Sequence, residues 1–208
     1  MKDNIVKSIF NYLVNEQLDY VVLRNFEDIP EKLSMQNDLD LLINKSEMHF
    51  FDKIIRSLGF ELYKDKGVYL YGAQPHYHYI FTDINLHLDV VDGLYYKSPL
   101  GENCFVKIDN ILQKSILENK LKVDNFWKYR PSYEDLVTHL CCHCIFDKKQ
   151  VDNKYAYIIE NEYKKCSEDT LSSYLKKVFF KASDMILECI KNRQTSMMYE
   201  RYTKFKDY

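Results

Sequence analysis

The stretch "MQNDLDLLIN", residues 35–44, sets two aspartates one residue apart at the entrance of an apolar run. Read as a strand over 38–43 it alternates, so Asp38 and Asp40 project from one face and Leu39, Leu41 and Ile43 from the other. Two carboxylates then point the same way, with Cα atoms about 6.6–7 Å apart. Unpaired they repel, and burying them is costly. A divalent cation removes that cost: Mg2+ takes hard oxygen ligands, typically one or two carboxylates with waters and substrate phosphates completing its shell. Two such ions about 3.5–4 Å apart stabilise both the attacking and the leaving oxygens of a displacement at phosphorus.

A third carboxylate on a neighbouring strand would complete such a site, and "INLHLDVVDGL", residues 84–94, supplies a candidate. Alternation puts Leu86, Leu88 and Val90 on one face and Asn85, His87 and Asp89 on the other. Asp92 has the wrong parity and precedes Gly93, which suits a turn.

Around these two segments the pattern reads as helix 2–17, strands 20–24 and 38–43, helix 45–58, strands 60–64, 68–72, 77–82 and 85–91, and a helix near 107–117. The N-terminal helix carries Ile5, Ile9 and Leu13 at helical spacing, with charges between them. At "KYRPSYEDL", residues 128–136, Pro131 and Ser132 mark a helix start, with Ser132 as the cap and Asp135 three residues on. Helices near 132–146, 152–165, 168–180 and 182–192 follow. A mixed sheet followed by helices is an α+β arrangement, with expected domains 1–128 and 129–208.

The chain has 208 residues, enough to bury a substantial core. Its 18 tyrosines against 5 glycines and 4 prolines describe a folded protein rather than a disordered one. With 29 basic and 31 acidic residues it lacks the basic footprint of a general nucleic-acid binder. The first 17 residues form no signal peptide, and no apolar run reaches the roughly 18 residues of a membrane span. Cys141, Cys142 and Cys144 fall on one helix, where mutual bridging is geometrically poor, so the expectation is reduced thiols in the cytoplasm.

The strand "YVVLRN" (20–25), a loop, Asp38-x-Asp40 entering a second strand, a helix, and a later strand bearing Asp89 together resemble the nucleotidyltransferase superfamily, whose fold is shared with DNA polymerase beta. The likeness spans roughly residues 1–128 and is strongest to small bacterial nucleotidyltransferase-family proteins, some of which accompany cell-surface polysaccharide synthesis. The resemblance implies a mixed sheet with flanking helices and transfer of a nucleoside monophosphate from an NTP to an acceptor, with two Mg2+ ions. Asp38 and Asp40 would be the paired metal ligands. Asp89 would be the third, helping to bind the catalytic metal and activate the acceptor hydroxyl. The family pattern has Gly-Ser after the first strand to hold the triphosphate; here Arg24 and Asn25 stand in that place. Arg24 is expected to meet phosphate oxygens by charge-assisted bonding.

His87 shares the face of Asp89 and is a candidate for substrate contact or proton shuttling. Tyr129, Arg130 and Tyr133 sit at the junction between the halves, where a tyrosine stacks on a base and Arg130 meets phosphate in a nucleotide-binding reading. His76 and His78, in "PHYHY", share a strand face and read as structural or acceptor-site residues. His139 and His143 are i,i+4 among thiols, a spacing zinc can use, but the surrounding apolar residues describe a packed core helix. The two readings carried forward are an Mg2+-dependent nucleotidyltransferase for a small-molecule or carbohydrate acceptor, favoured by the three acids, and a catalytically silent binding or regulatory protein of the same fold, favoured by the absence of Gly-Ser.

Overall fold

The computed structural model describes residues 2–26, 29–33, 38–63, 69–98, 104–108 and 110–205. The chain divides into two compact units, Met1–Leu94 with Leu117–Pro131, and Tyr95–Ile116 with Ser132–Tyr208. Segment 95–116, which precedes the 128/129 division expected from the sequence, thus clusters with the second unit.

The first unit is built on a five-stranded sheet in the order β1 (Tyr20–Val22), β2 (Leu39–Ile43), β5 (Leu86–Val91), β4 (Tyr77–Phe81), β3 (Glu61–Leu62). β2 and β5 run parallel and the other neighbours antiparallel. This is the mixed sheet expected from the sequence. Alternation along the strands sorts their residues: Leu39, Leu41, Ile43, Leu86, Leu88 and Val90 all enter one hydrophobic core, while Asp40 and Asp89 take the opposite parity.

That core is closed by α1 (Lys2–Asn15) and α2 (Met48–Ser57). From α1 come Val6, Ile9, Phe10 and Leu13, fully buried at the spacing of one helix face. Each such side chain contributes about 1.5–3 kcal/mol. From α2 come Met48, Phe51 and Ile55. A short pair, β8 (Leu121–Lys122) and β9 (Tyr129–Arg130), completes the unit, and between them Trp127 joins the core and accepts a hydrogen bond at its carbonyl from the Tyr20 hydroxyl, 3.2 Å.

One expected strand is corrected. Over 68–72, residues 69–72 form a turn in which Leu70 and Ala73 exchange backbone bonds of 2.8 Å, because Tyr71 and Gly72 have φ of 51° and 74°, which an extended strand cannot contain; residue 68 lies outside the described residues. β1 is also shorter than 20–24: it ends at Val22, so Arg24 and Asn25 belong to the loop that follows.

The second unit contains the β6 (Tyr95–Lys97) and β7 (Phe105–Lys107) pair and the helices α4 (Tyr133–Cys142), α5 (Asn153–Tyr163), α6 (Glu168–Phe179), α7 (Ser183–Lys191) and α8 (Met198–Lys204); a further helix, α3 (Asn110–Glu118), straddles the boundary between the units. α4 packs against α5 and α6 and is buried from Asp135 to Cys142. It starts as the sequence indicates, with Ser132 accepting from the Asp135 amide at 3.2 Å. None of the six cysteines forms a disulfide, and burial raises the thiols of Cys141 and Cys142 well above their ordinary range. Among the described residues no helix is long and apolar enough to cross a membrane.

Candidate active site

The polar face of the sheet gathers its charge at the seam of the two parallel strands. Asp40 of β2 and Asp89 of β5 are register partners, and Asp89 faces His78 across to β4. Local structure explains how β1 contributes. The Leu23 amide still donates to the Asp40 carbonyl at 3.0 Å, extending the pairing one residue past the strand. Asn25 then takes a left-handed φ of 61°, which asparagine tolerates better than most residues.

Both side chains of that turn reach Asp40. Arg24 Nη2 donates to Asp40 Oδ1 at 2.6 Å, and Asn25 Nδ2 donates to Asp40 Oδ2 at 2.8 Å. Arg24 Nη2 also lies 4.0 Å from Asp89 Oδ2. Asp89 in turn has His76 Nδ1 at 2.7 Å and His78 Nδ1 at 4.0 Å, both from its Oδ1. The two imidazoles stack at 5.8 Å with their planes 9° apart.

Electrostatics separate the carboxylates. Burial pushes Asp40 up to about 6, with Arg24 opposing the rise and Asp89 adding to it. Burial would raise Asp89 too, but the charge and hydrogen bond of His76, then His78 and Arg24, outweigh it and hold Asp89 well below the usual carboxylate range. Asp38, just before β2, is raised by burial and by Asp89, against the pull of His87, His78 and Arg24. Its Oδ1 is buried and has no hydrogen-bond partner among the described residues.

The sequence-expected residues Arg24, Asn25, Asp38, Asp40, His87 and Asp89 therefore share one neighbourhood. Arg130, on β9, is placed with its guanidinium 4.8 Å from the Phe26 ring centroid, and Phe26 stacks on Trp127 at 5.5 Å. Asp92 lies in the bend after β5, where Tyr77 donates to it at 3.5 Å. His76 and His78 come closer to the acids than the sequence reading foresaw. The only signal for them was the His-x-His spacing, and their approach to Asp89 depends on which strand β4 pairs with. His139 and His143 belong to the second unit, with the Tyr96 hydroxyl 2.7 Å from His139 Nδ1 and Asp147 Oδ2 3.2 Å from His143 Nδ1.

The donor set fits a divalent cation. The orphaned Asp38 oxygen is the kind of buried acceptor that an ion satisfies, and a cation offsets the mutual repulsion of neighbouring carboxylates. Chemically, such a cluster can hold polyphosphate through an ion while Arg24 and Asn25 offer N–H donors beside it.

No curated protein matches the chain significantly. A solved structure of similar fold is the solution structure of the antibiotic-resistance factor ANT(2'')-Ia; the alignment covers 92% of this chain and 99% of that chain, with a TM-score of 0.53 and 9% sequence identity. At that identity the likeness concerns fold alone. Residues 31–154 match the family model described as uncharacterised nucleotidyltransferase, and since this is more than half of the 208 residues, the chain belongs to that nucleotidyltransferase family.

Proposed function

We propose that this protein moves a nucleoside monophosphate from an NTP to a small-molecule or carbohydrate (phosphate) acceptor in an Mg2+-dependent reaction, with pyrophosphate leaving. The observation that carries this reading is the register pairing of Asp40 with Asp89 on parallel strands, with the orphaned oxygen of Asp38 at the mouth of β2, in a chain of this family. Asp38, Asp40 and Asp89 would hold the cation, which when bound neutralises phosphate charge. Arg24 and Asn25, now on Asp40, are positioned to turn their donors to phosphate oxygens. His87, near enough to act on the Asp38 carboxyl, suits a proton relay to or from the acceptor. Arg130 over Phe26 provides a flat cationic surface for base or phosphate. Catalysis of this kind is mostly positioning and charge neutralisation. We place the reaction in the bacterial cytoplasm, where NTPs are made, with cell-surface polysaccharide synthesis as its setting.

A specific observation favours a second reading. Arg24 and Asn25 occupy both oxygens of Asp40, as internal counter-groups would in a protein that binds or regulates without transferring. Calorimetric titration with each of the four NTPs, with and without Mg2+, separates the two. Mg2+-dependent binding that disappears in Asp38→Asn/Asp40→Asn supports transfer. Absence of binding to every NTP overturns it in favour of the second reading.

A further inference from the structure

We propose that His76, His78 and Asp89 form a site for a first-row transition ion that accepts imidazole nitrogen, such as Zn2+ or Co2+, sharing Asp89 with the carboxylates assigned to Mg2+. The inference deepens the reading above, resting on it for what the ion does and not for whether the ion binds. Three donors, one from each residue, lie within 4.8 Å of one another. Two donors on one tetrahedral ion, each about 2.0–2.2 Å from it, are about 3.3–3.6 Å apart, so side-chain adjustments of roughly 1–1.5 Å close the set. Both Nδ1 atoms already converge on the same oxygen, Asp89 Oδ1, at 2.7 and 4.0 Å.

His78 stands opposite Asp89 in the β4–β5 register, and His76, just before β4, lies on the same side, its ring stacked on that of His78. The histidines are about one-third exposed, 31% and 35%, and Asp89 12%, so an ion has a path from solvent. The donor chemistry selects the ion. Mg2+ prefers an all-oxygen shell and surrenders water reluctantly, whereas two imidazoles with one carboxylate suit zinc, cobalt, nickel or iron.

The test is a Co2+ titration of the metal-stripped full-length chain, free of nucleotide, followed by visible absorption and calorimetry in wild type, His76→Gln and His78→Gln. The expected result is a cobalt absorption band in wild type that a large excess of Mg2+ leaves in place, with binding weakened at least about tenfold in each variant, since even outer-shell partners of metal ligands are worth roughly 10–100-fold. Equal Co2+ affinity in wild type and both variants, or displacement of cobalt by comparable Mg2+, overturns the proposal. Should either variant unfold, NMR of the intact wild type decides. Sub-stoichiometric Co2+ perturbs the His76 and His78 ring resonances before those of His139 and His143, or the site is rejected. Cobalt bound at the histidines without any NTP binding would support this site while discarding transfer; Mg2+-dependent NTP binding with unperturbed histidines would do the reverse.

Discussion

At the residue scale, Arg24 lies 2.6 Å from one oxygen of Asp40 and 4.0 Å from one of Asp89, the arrangement of a counter-ion shared unequally between two acids. Removing one partner of a buried ion pair costs about 3–5 kcal/mol because a charge is stranded. Arg24 keeps 18% of its side chain in solvent, so the expected loss for Arg24→Met is smaller, about 2–3 kcal/mol, read as a lower melting temperature in EDTA. Added Mg2+ is expected to restore part of that loss, since a ligand bound only by the folded state stabilises it; an unchanged melting temperature would show that Arg24 is not holding Asp40. Asp40→Asn is expected to lower turnover by roughly 10²–10³-fold, the scale of removing one preorganised electrostatic group, with an unchanged far-UV spectrum. Turnover equal to wild type would remove Asp40 from the mechanism. The parity of Asp40 and Asp89 was readable because alternation is local. The bonds from Arg24 and Asn25 to Asp40 were not, because they depend on a left-handed turn at Asn25.

At the scale of the element, α4 begins on reciprocal bonds: the Asp135 amide donates to Ser132 Oγ, and the Ser132 hydroxyl donates to Asp135 Oδ2 at 2.7 Å. Ser132→Ala is expected to cost about 1 kcal/mol in denaturant unfolding. Asp135 is fully buried, and burial raises its carboxyl against the hydrogen bonds of Ser132 and Ser115. A carboxyl raised on folding binds its proton more tightly in the native state, so its contribution is best below the unfolded value of about 4 and declines as pH rises through the folded value. Asp135→Asn therefore should gain stability relative to wild type between pH 4 and 7; a constant difference across that range would refute the assignment. At the end of α2, Gly59 has a φ of 94°, and a Cβ there would meet the Phe81 ring at 3.1 Å. Gly59→Ala is expected to destabilise by about 1–2 kcal/mol, measured by the same unfolding assay. The five strands of the main sheet and the helices up to α7 were legible from periodicity, and the start of α4 from its cap, whereas the short pairs β6–β7 and β8–β9 and α8 were not read, and the turn at 69–72 was missed because its apolar and aromatic residues imitate a strand.

At the scale of the whole molecule, the first unit stands on one cluster of buried side chains, and Trp127, the single tryptophan, reports on it. Phe10 in α1 is fully buried and meets Tyr20 and Phe126 at 5.9 and 5.7 Å between ring centroids. Phe10→Ala is expected to lose about 3–5 kcal/mol, the cost of a large aromatic cavity, seen as an earlier tryptophan fluorescence transition; a shift below about 1 kcal/mol would mean that the cavity collapses. By itself the sequence determined the α+β class, the amphipathic face of α1, the cap of α4 and the strand parity of Asp40 and Asp89. All of these follow from periods of 2 and 3.6 residues and from neighbours a few positions away. Only the tertiary structure decided that β2 and β5 are parallel neighbours, so that Asp40 meets Asp89, that β4 brings His76 and His78 to the same carboxylate, and that segment 95–116 clusters with the helical unit. Strand order and register join residues separated by tens of positions, and many pairings would bury the same apolar faces; the packing of the complete core selects one of them.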